Sequence, residues 1–216
     1  MSNNVNIKAS VISGISEVIL THPIDYTKTV VQNKSNPLFK ELIKDSYKGL
    51  SSRLIGIVPM RMLFWNSLEY FKGKGYNIYK TAILTSIVQT IVDYPIEQIK
   101  TQKMINNVPF YNSFRNINIF KASGVHLIRN IGFTICVNYF IQKDPNSLYY
   151  GAVGGLSGSL FTHPLDTLKT WYQTGNYNYP IHWRTVDYMR GWQYRCSVSL
   201  ISMNIGWIIF HRLKEY

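Results

Sequence analysis

The chain has 216 residues, of which 46% are hydrophobic and only 16% are charged, a composition that excludes disordered and fibrous proteins. Lys and Arg number 23 against 11 Asp and Glu, and the net charge of +12 indicates an anionic partner such as nucleic acid, an anionic membrane or a small anion. The two cysteines, Cys136 and Cys196, lie far apart in apolar stretches, which predicts neither a disulfide framework nor a metal site.

One sequence pattern occurs three times along the chain. It reads THPIDYTKT at 21–29, DYPIEQIKT at 93–101 and THPLDTLKT at 162–170, so the shared form is P-x-[DE]-x-x-K-T. A second proline and then a small residue follow each copy at nearly constant distances. The small residues are Gly49, Ala122 and Gly191. Three markers in a common register predict a threefold repeat within one integral domain, with units at 1–75, 76–145 and 146–216.

Each repeat contains two apolar segments, so the sequence predicts six helices, at 7–32, 50–71, 77–103, 123–141, 147–173 and 192–213. Each is long enough to cross the ~30 Å hydrocarbon core of a bilayer. The run from Pro145 to Leu165 contains no Asp, Glu, Lys or Arg and is the clearest transmembrane candidate. Glu17, Arg61 and Arg129 interrupt other segments, as expected where charged side chains face a water-filled interior. Polar segments that begin at 37, 109 and 180 are predicted to form short surface helices.

The repeated motif predicts both bends and a ring of charges. Proline within a helix removes a hydrogen bond, so each motif proline is expected to kink its helix; these are Pro23, Pro95 and Pro164. An acid and a base three residues apart share one helix face. With threefold symmetry, the acid of one helix meets the base of the next, which predicts a gate of three breakable ion pairs. The charged residues are Asp25, Lys28, Glu97, Lys100, Asp166 and Lys169. Gln32 and Gln173 follow on the same face and are predicted to brace the pairs, while Met104 occupies the equivalent position of the middle repeat.

These residues resemble the mitochondrial carrier family, in which three repeats each carry P-x-[DE]-x-x-[KR] on an odd-numbered helix. The resemblance covers essentially the whole chain and implies an all-α membrane protein. Its six transmembrane helices form three pseudo-threefold repeats around a central cavity, with short matrix helices. It further implies that the ion pairs form the matrix gate, with Asp25 paired to Lys100, Glu97 to Lys169 and Asp166 to Lys28. The trimmed matrix segments make the chain similar to compact carriers encoded by large DNA viruses.

The resemblance also implies a second gate, on the cytoplasmic side, where this sequence departs from the family pattern of [FY]-[DE]-x-x-[KR]. Only the first repeat carries both charges; the second carries neither, and a histidine replaces the acid of the third. Closure at this end is therefore expected to depend mainly on packing. The residues at the cytoplasmic gate positions are Glu69, Lys72, Gln142, His211 and Lys214.

The substrate site that the resemblance implies lies on the even-numbered helices. Arg129 occupies the family's contact position in the second repeat, and its neighbour Asn130 completes a pair that resembles carboxylate carriers. Further arginines, Arg53, Arg61 and Arg195, are expected to make the cavity basic, although an arginine near a helix end also suits a lipid phosphate. Arg129 is expected to have the solute, and not another helix, as its partner.

The function implied is the exchange of small anionic metabolites across the mitochondrial inner membrane by alternating access, in a multi-pass protein of the organelle or, for a viral protein, of the host cell. Nucleotides or deoxynucleotides are the expected solutes, because they fit the several arginines and the compact form. Di- or tricarboxylates, which fit Arg129 and Asn130, are the alternative. A carrier-fold adaptor without transport activity is the remaining alternative. We expect no nucleic-acid partner, because the bases recur with the repeat and do not form one patch. We also expect no cofactor and no enzymatic activity, because the five histidines are scattered and the sequence has no metal-ligand spacing, nucleophile elbow or phosphate loop. The expected partners are the solute and membrane lipids, including cardiolipin, and the expected state is a monomer.

Overall fold

The computed structural model describes residues 2–33, 39–106, 122–144, 147–175 and 185–214, and all regular structure in these ranges is helical. The helices that begin the three repeats are α1 (Ser2–Asn33), α4 (Ile78–Asn106) and the pair α6 (Leu148–Phe161) and α7 (His163–Thr174). The helices that end them are α3 (Leu50–Gly73), α5 (Ser123–Ile141) and α9 (Trp192–Lys214). Two short helices, α2 (Phe39–Lys44) and α8 (Thr185–Tyr188), lie between the long ones.

The long helices form a closed ring. Going around it, α1 packs against α3, α3 against α4, α4 against α5, α5 against α6, α6 against α9, and α9 against α1. At one end, α1, α4 and α7 also contact one another across the middle of the ring. The six predicted helical segments match the observed helices closely. Of the three predicted surface segments, the first contains α2 and the third contains α8, whereas the second lies almost entirely outside the described residues.

The three motif prolines occupy different structural contexts. Pro23 and Pro95 lie inside the continuous helices α1 and α4. Pro164 lies in the first turn of α7, after a break at Thr162 that separates α6 from α7. The predicted charge-free helix between 145 and 165 is therefore not one helix: its described part ends at Phe161 and restarts at His163. Proline has no N–H to donate, so it is well tolerated in the first turn of a helix, where its N–H would lack a partner within the helix.

Polar and apolar residues are distributed in the reverse of the usual soluble pattern. Among the described residues, buried polar or charged side chains outnumber buried hydrophobic ones by more than two to one. Large hydrophobic side chains instead lie outside: Ile83, Ile87 and Ile91 form a stripe along α4 with 41%, 41% and 71% of their surface exposed. In the ranges that the structure describes, no helix is both long enough and apolar enough to cross a membrane.

A side chain just before each motif proline connects the odd helix to the start of the even helix of the same repeat. The His22 Nε2 atom lies 3.0 Å from the carbonyl oxygen of Lys48, and the His163 Nε2 atom lies 2.8 Å from that of Arg190. In the middle repeat Tyr94 takes this place, and its hydroxyl accepts a hydrogen bond of 3.2 Å from the Ala122 amide. Each repeat thus has an equivalent hydrogen bond between its odd helix and a residue that lies just before its even helix.

The small residue that precedes an even helix allows that helix to approach the next repeat. Gly49 has a φ of +84°, and a Cβ atom there would lie 3.3 Å from the carbonyl oxygen of Lys100 and 3.3 Å from the Cγ of Met104. Gly191 has a φ of +75° and lies similarly against Lys28. The positive φ favours glycine at both positions, and at Gly49 the close approach also favours a residue without a side chain, whereas the 3.5 Å contact at Gly191 is an ordinary one.

We expect Gly49→Ala to lower the thermal unfolding midpoint in detergent more than Gly75→Ala does. Both glycines have positive φ, which costs an L-residue about 1–2 kcal/mol, but a Cβ atom at Gly75 would meet nothing within 4 Å. The difference between the two midpoints isolates the close approach to α4. Equal midpoints would show that the contact with Lys100 and Met104 relaxes at no cost.

Candidate functional site

The predicted gate residues lie together where α1, α4 and α7 meet. We call these residues the ion-pair ring: Asp25, Lys28, Glu97, Lys100, Asp166 and Lys169. The three pairs that the resemblance implies are all present. The Nζ atom of Lys100 lies 2.8 Å from Asp25 Oδ2, that of Lys169 lies 2.7 Å from Glu97 Oε2, and that of Lys28 lies 2.8 Å from Asp166 Oδ2.

Neighbouring pairs in the ion-pair ring are also connected along two of the three helices, α1 and α4. Lys100 lies 2.9 Å from Glu97 and Lys28 lies 3.6 Å from Asp25, both at the i, i+3 spacing. Five of the six side chains are almost fully buried, and Glu97 retains the largest exposed fraction. A buried ion pair repays its desolvation only when its remaining hydrogen bonds are satisfied. The sharing of lysines between acids provides such additional bonds.

Three of the four arginines predicted to bind substrate, Arg53, Arg129 and Arg195, contact the acids of the ring, which differs from the expectation. Arg53 pairs with Asp25. Arg195 lies 2.9 Å from Asp166, and Arg129 lies 3.3 Å from the same carboxylate. The prediction that Arg129 has no protein partner on another helix is therefore wrong. Asp25 and Asp166 therefore each contact a lysine and at least one arginine from other helices.

The two predicted brace residues make equivalent contacts in two of the three repeats. Gln32 donates to Asp166 Oδ2 at 3.2 Å and accepts from the Thr170 hydroxyl at 2.9 Å. Gln173 accepts from the Thr101 hydroxyl at 3.1 Å. Each glutamine oxygen thus accepts from the threonine that ends the motif of a neighbouring repeat. Of these two glutamines, only Gln32 has a side-chain hydrogen bond to a charged residue of the ion-pair ring among the described contacts.

Between α4 and α1, the contacts at the brace position are apolar, whereas the ion pair of Lys100 with Asp25 joins the same two helices. Met104 occupies the brace position there and packs against Tyr26 and Val30, with Leu42 and Ile105 at the edge of the cluster. Thr29, which ends the motif of the first repeat, donates to the carbonyl of Asp25 in its own helix. The sequence predicts this difference, because methionine offers no amide to hydrogen-bond a neighbouring motif.

A central cavity of 270 Å³ lies above the ion-pair ring. Arg53, Arg129 and Arg195 line it, as predicted, but so do Glu17, Asp93 and Glu97. The cavity is therefore of mixed charge and not simply basic. Phe64, Phe133 and Val137 provide apolar wall, and Thr134, Ser159, Ser199 and Ser202 provide hydroxyl groups. Asn130 also lines the cavity, where its side-chain oxygen lies 2.6 Å from an Arg129 nitrogen.

The remaining predicted residues are only partly described. Lys72 and Gln142, from the predicted cytoplasmic gate, are exposed. The side chains of Arg61, Glu69, His211 and Lys214 lie outside the described part of the structure, as does Pro145. The arrangement of the predicted cytoplasmic gate therefore stays a prediction.

Sequence reasoning missed a buried pair between α4 and α5. His126 Nε2 lies 2.9 Å from Asp93 Oδ2, and both side chains are buried. The signal was available in the repeat: Asp93 stands where the first and third motifs have threonine, and His126 stands where the other even helices have arginine. Two residues that both differ from their equivalents in the other repeats, and that contact each other, indicate a site particular to this repeat.

The chain is similar in sequence to several mitochondrial carriers. It is 25% identical to mitochondrial substrate carrier family protein Z of Dictyostelium discoideum, over 79% of this chain and 75% of the relative. It is 24% identical to a probable mitochondrial 2-oxodicarboxylate carrier of Schizosaccharomyces pombe, over 79% and 74%. It is also 24% identical to the mitochondrial basic amino acids transporter of Mus musculus, over 83% and 76%. No protein-family model matches the chain.

Proposed function

Because the chain belongs to the mitochondrial carrier family, we propose that it is a transporter, and not an enzyme, that exchanges small anionic metabolites across the mitochondrial inner membrane. The observation that carries this proposal is the central cavity, which contains arginines and ends at a ring of ion pairs. A solute that enters such a cavity meets bases that can bind it and a closure that can open. The cavity and the closure are the two parts that alternating access requires.

The distribution of side chains supports a membrane location with six spans. Apolar stripes such as Ile83, Ile87 and Ile91 face outward, where they would contact lipid in a membrane. Threonine, glutamine and charged side chains fill the inside of the ring. In a bilayer, ionisable residues are tolerated when they face a bundle interior and pair with one another. The charges that lower the hydropathy of α1, α4 and α7 are therefore compatible with spanning helices.

The ion-pair ring is suited to act as a gate. Its acids and bases come from three different repeats, so separating the repeats at this end breaks all three pairs together. Desolvation offsets much of the Coulomb attraction in a buried pair, which keeps the net cost of opening modest. A solute that draws Arg129 or Arg195 away from Asp166 would weaken the closed state, because Asp166 would lose a partner.

Within the anionic metabolites, the cavity favours carboxylates over nucleotides. The cavity volume of 270 Å³ is slightly smaller than the ~300–1,000 Å³ of typical pockets for drug-sized ligands. The acidic residues in the cavity wall would also repel the several negative charges of a polyphosphate. Arg129 and Asn130 together offer a planar donor group and an amide, which suit one carboxylate. The names of two relatives, a 2-oxodicarboxylate carrier and a basic amino acids transporter, refer to solutes that contain a carboxylate.

The proposal is tested by uptake into liposomes that contain the purified protein and an internal solute. The external panel consists of radiolabelled 2-oxoglutarate, citrate, malate, arginine, ATP and dATP. We expect exchange of a carboxylate, and uptake of ATP or dATP would instead support the nucleotide alternative. Uptake of no panel member, by protein that is folded in detergent, would contradict transport and support a carrier-fold adaptor.

We expect Arg129→Ala to lower uptake at least about tenfold, since a charge-assisted hydrogen bond to the solute is lost. Unlike a residue without a protein partner, Arg129 also contacts Asp166, so the variant should unfold at a somewhat lower temperature. Arg129→Lys should keep part of the uptake but lose the planar geometry. The measurement is the initial rate of uptake, with Arg190→Ala as the control because Arg190 lies at the surface beside Asp187. Equal rates for Arg129→Ala and Arg190→Ala would exclude Arg129 from the solute site.

A further inference from the structure

The middle repeat departs from the other two at two positions that face each other. In the first and third repeats, the residue two before the motif proline is a threonine, and its hydroxyl donates to the carbonyl one turn earlier, at 2.8 Å for Thr21 and 2.7 Å for Thr162. The middle repeat has Asp93 there. The residue four past the small residue is arginine in the first and third repeats and His126 in the middle one. The middle repeat has thus replaced a hydroxyl and a permanent cation with two groups that bind and release protons.

The pair that results is buried and incompletely hydrogen-bonded. Asp93 has 3% of its surface exposed and His126 has none, and the His126 Nε2 atom lies 2.9 Å from Asp93 Oδ2. Neither Asp93 Oδ1 nor His126 Nδ1 has a hydrogen-bond partner within the described ranges. A neutral histidine that donates through Nε2 holds the carboxylate in place and leaves Oδ1 as an open acceptor. Oδ1 itself is buried, and it belongs to a side chain that lines the central cavity, the space that a solute and water would enter.

Arg129 connects the pair to the proposed solute site. One terminal nitrogen of Arg129 lies 3.9 Å from Asp93 Oδ2, and the other lies 3.3 Å from Asp166 Oδ1. An anion that approaches Arg129 is therefore repelled by the negative charge of Asp93. If Asp93 takes up a proton, this repulsion disappears and Arg129 is freed from one of its two carboxylates. Proton binding and anion binding then favour each other, and this coupling is reciprocal.

The other charged groups around the pair have partners of their own in the ion-pair ring. Arg53 and Lys169 already pair with Asp25 and Glu97 of the ion-pair ring, and the ring of Tyr94 contacts His126 edge-on at 5.6 Å. The groups that face Asp93 or His126 are Tyr94 and Glu97 on α4, Arg129 on α5, Arg53 on α3 and Lys169 on α7.

We propose that Asp93, positioned by His126, is a proton-binding site that couples the uptake of an anionic solute to the uptake of a proton. Asp93 Oδ1 accepts one proton from water in the open cavity while one carboxylate of the solute binds Arg129. The negative charge that Asp93 loses is replaced by that of the solute, so the charge of the cavity is unchanged. Solute and proton leave together on the other side, and Asp93 returns to its ionised form. The inference rests on the proposed transport function.

The experiment uses liposomes that contain the full chain, an entrapped pH-sensitive dye and the internal solute of the exchange assay, with the panel member that the wild type transports. When the outside is one pH unit more acidic than the lumen, we expect wild-type uptake to rise about tenfold and the lumen to acidify with it. In Asp93→Asn, whose amide cannot take up a proton, the remaining uptake should not respond to the pH gradient. Ser86→Ala is the control, because it removes a hydrogen bond of 3.2 Å to Thr134 between the same two helices without removing a titratable group.

A second measurement does not require transport. The solute should raise the unfolding temperature of the wild type in detergent more at acidic than at neutral pH, whereas in Asp93→Asn the rise should be equal at both. Asp93→Thr, which restores the residue of the other repeats, should behave in the same way. A pH response in Asp93→Asn that matches the wild type, or wild-type uptake without acidification of the lumen, would overturn the proton site alone. Wild-type protein that transports no panel member would overturn the proposed function itself.

Discussion

Asp166→Asn is expected to reduce uptake to the level of empty liposomes and to lower the stability of the fold more than any other single neutralisation in the ion-pair ring. Asp166 is fully buried and contacts Lys28 at 2.8 Å, Arg195 at 2.9 Å and Arg129 at 3.3 Å. Its neutralisation leaves three cations close together without their shared anion. Removing one partner of a buried ion pair typically costs about 3–5 kcal/mol, because the remaining charge stays desolvated.

The matched control for Asp166→Asn is Asp187→Asn, which removes the same charge from a pair at the surface. Asp187 lies 2.8 Å from Arg190, and both side chains keep more than a quarter of their surface exposed. Exposed pairs contribute about 0–1 kcal/mol, so the control should unfold almost as the wild type does. The readout is the unfolding midpoint of each variant in detergent, together with its uptake rate. A midpoint for Asp166→Asn that equals that of Asp187→Asn would contradict the role of Asp166 as the shared anion.

The sequence predicts the contacts of the ion-pair ring because each contact is a property of the repeat. A motif that recurs three times, with acid and base on one helix face, leaves few ways to neutralise all six charges. That regularity predicts that the acid of one helix meets the base of the next, and the family resemblance implies which ones meet, as in the pairs of Lys28 with Asp166 and of Lys100 with Asp25. The helices themselves follow for the same reason, since each apolar segment lies at the same place in its repeat.

The sequence does not predict the partners of the long arginine side chains or the break in the fifth predicted helix. Nothing in the residue types tells whether Arg195 faces lipid, solute or Asp166, because a long flexible side chain reaches all three from one backbone position. The break between α6 and α7 at Thr162 occurs in a sequence nearly identical to that around Thr21, where α1 continues. Local sequence therefore does not decide between a continuous and a broken helix here, and packing against the neighbouring helices must do so.

Charge exchange within one pair of the ring is the second variant for which we expect a large effect. Lys169→Glu alone should abolish uptake, because it places a carboxylate beside Glu97, which the wild-type lysine contacts at 2.7 Å. Two like charges about 4 Å apart repel by about 4 kcal/mol near a protein surface, enough to keep the ring from closing. Adding Glu97→Lys recreates one ion pair with its polarity reversed. We expect the double variant to recover at least about a tenth of wild-type uptake.

The recovery should depend on what else the exchanged residues touch. Within the described ranges, Glu97 contacts two bases, Lys100 and Lys169, whereas Asp25 contacts three, namely Lys28, Lys100 and Arg53. A lysine at position 25 would therefore meet two cations that no exchange removes, so Asp25→Lys with Lys100→Asp should recover less than the Glu97 and Lys169 exchange. Both double variants are compared with their singles by uptake rate at equal amounts of folded protein. If the Asp25 and Lys100 exchange recovers more, then Arg53 does not contribute to the closed ring.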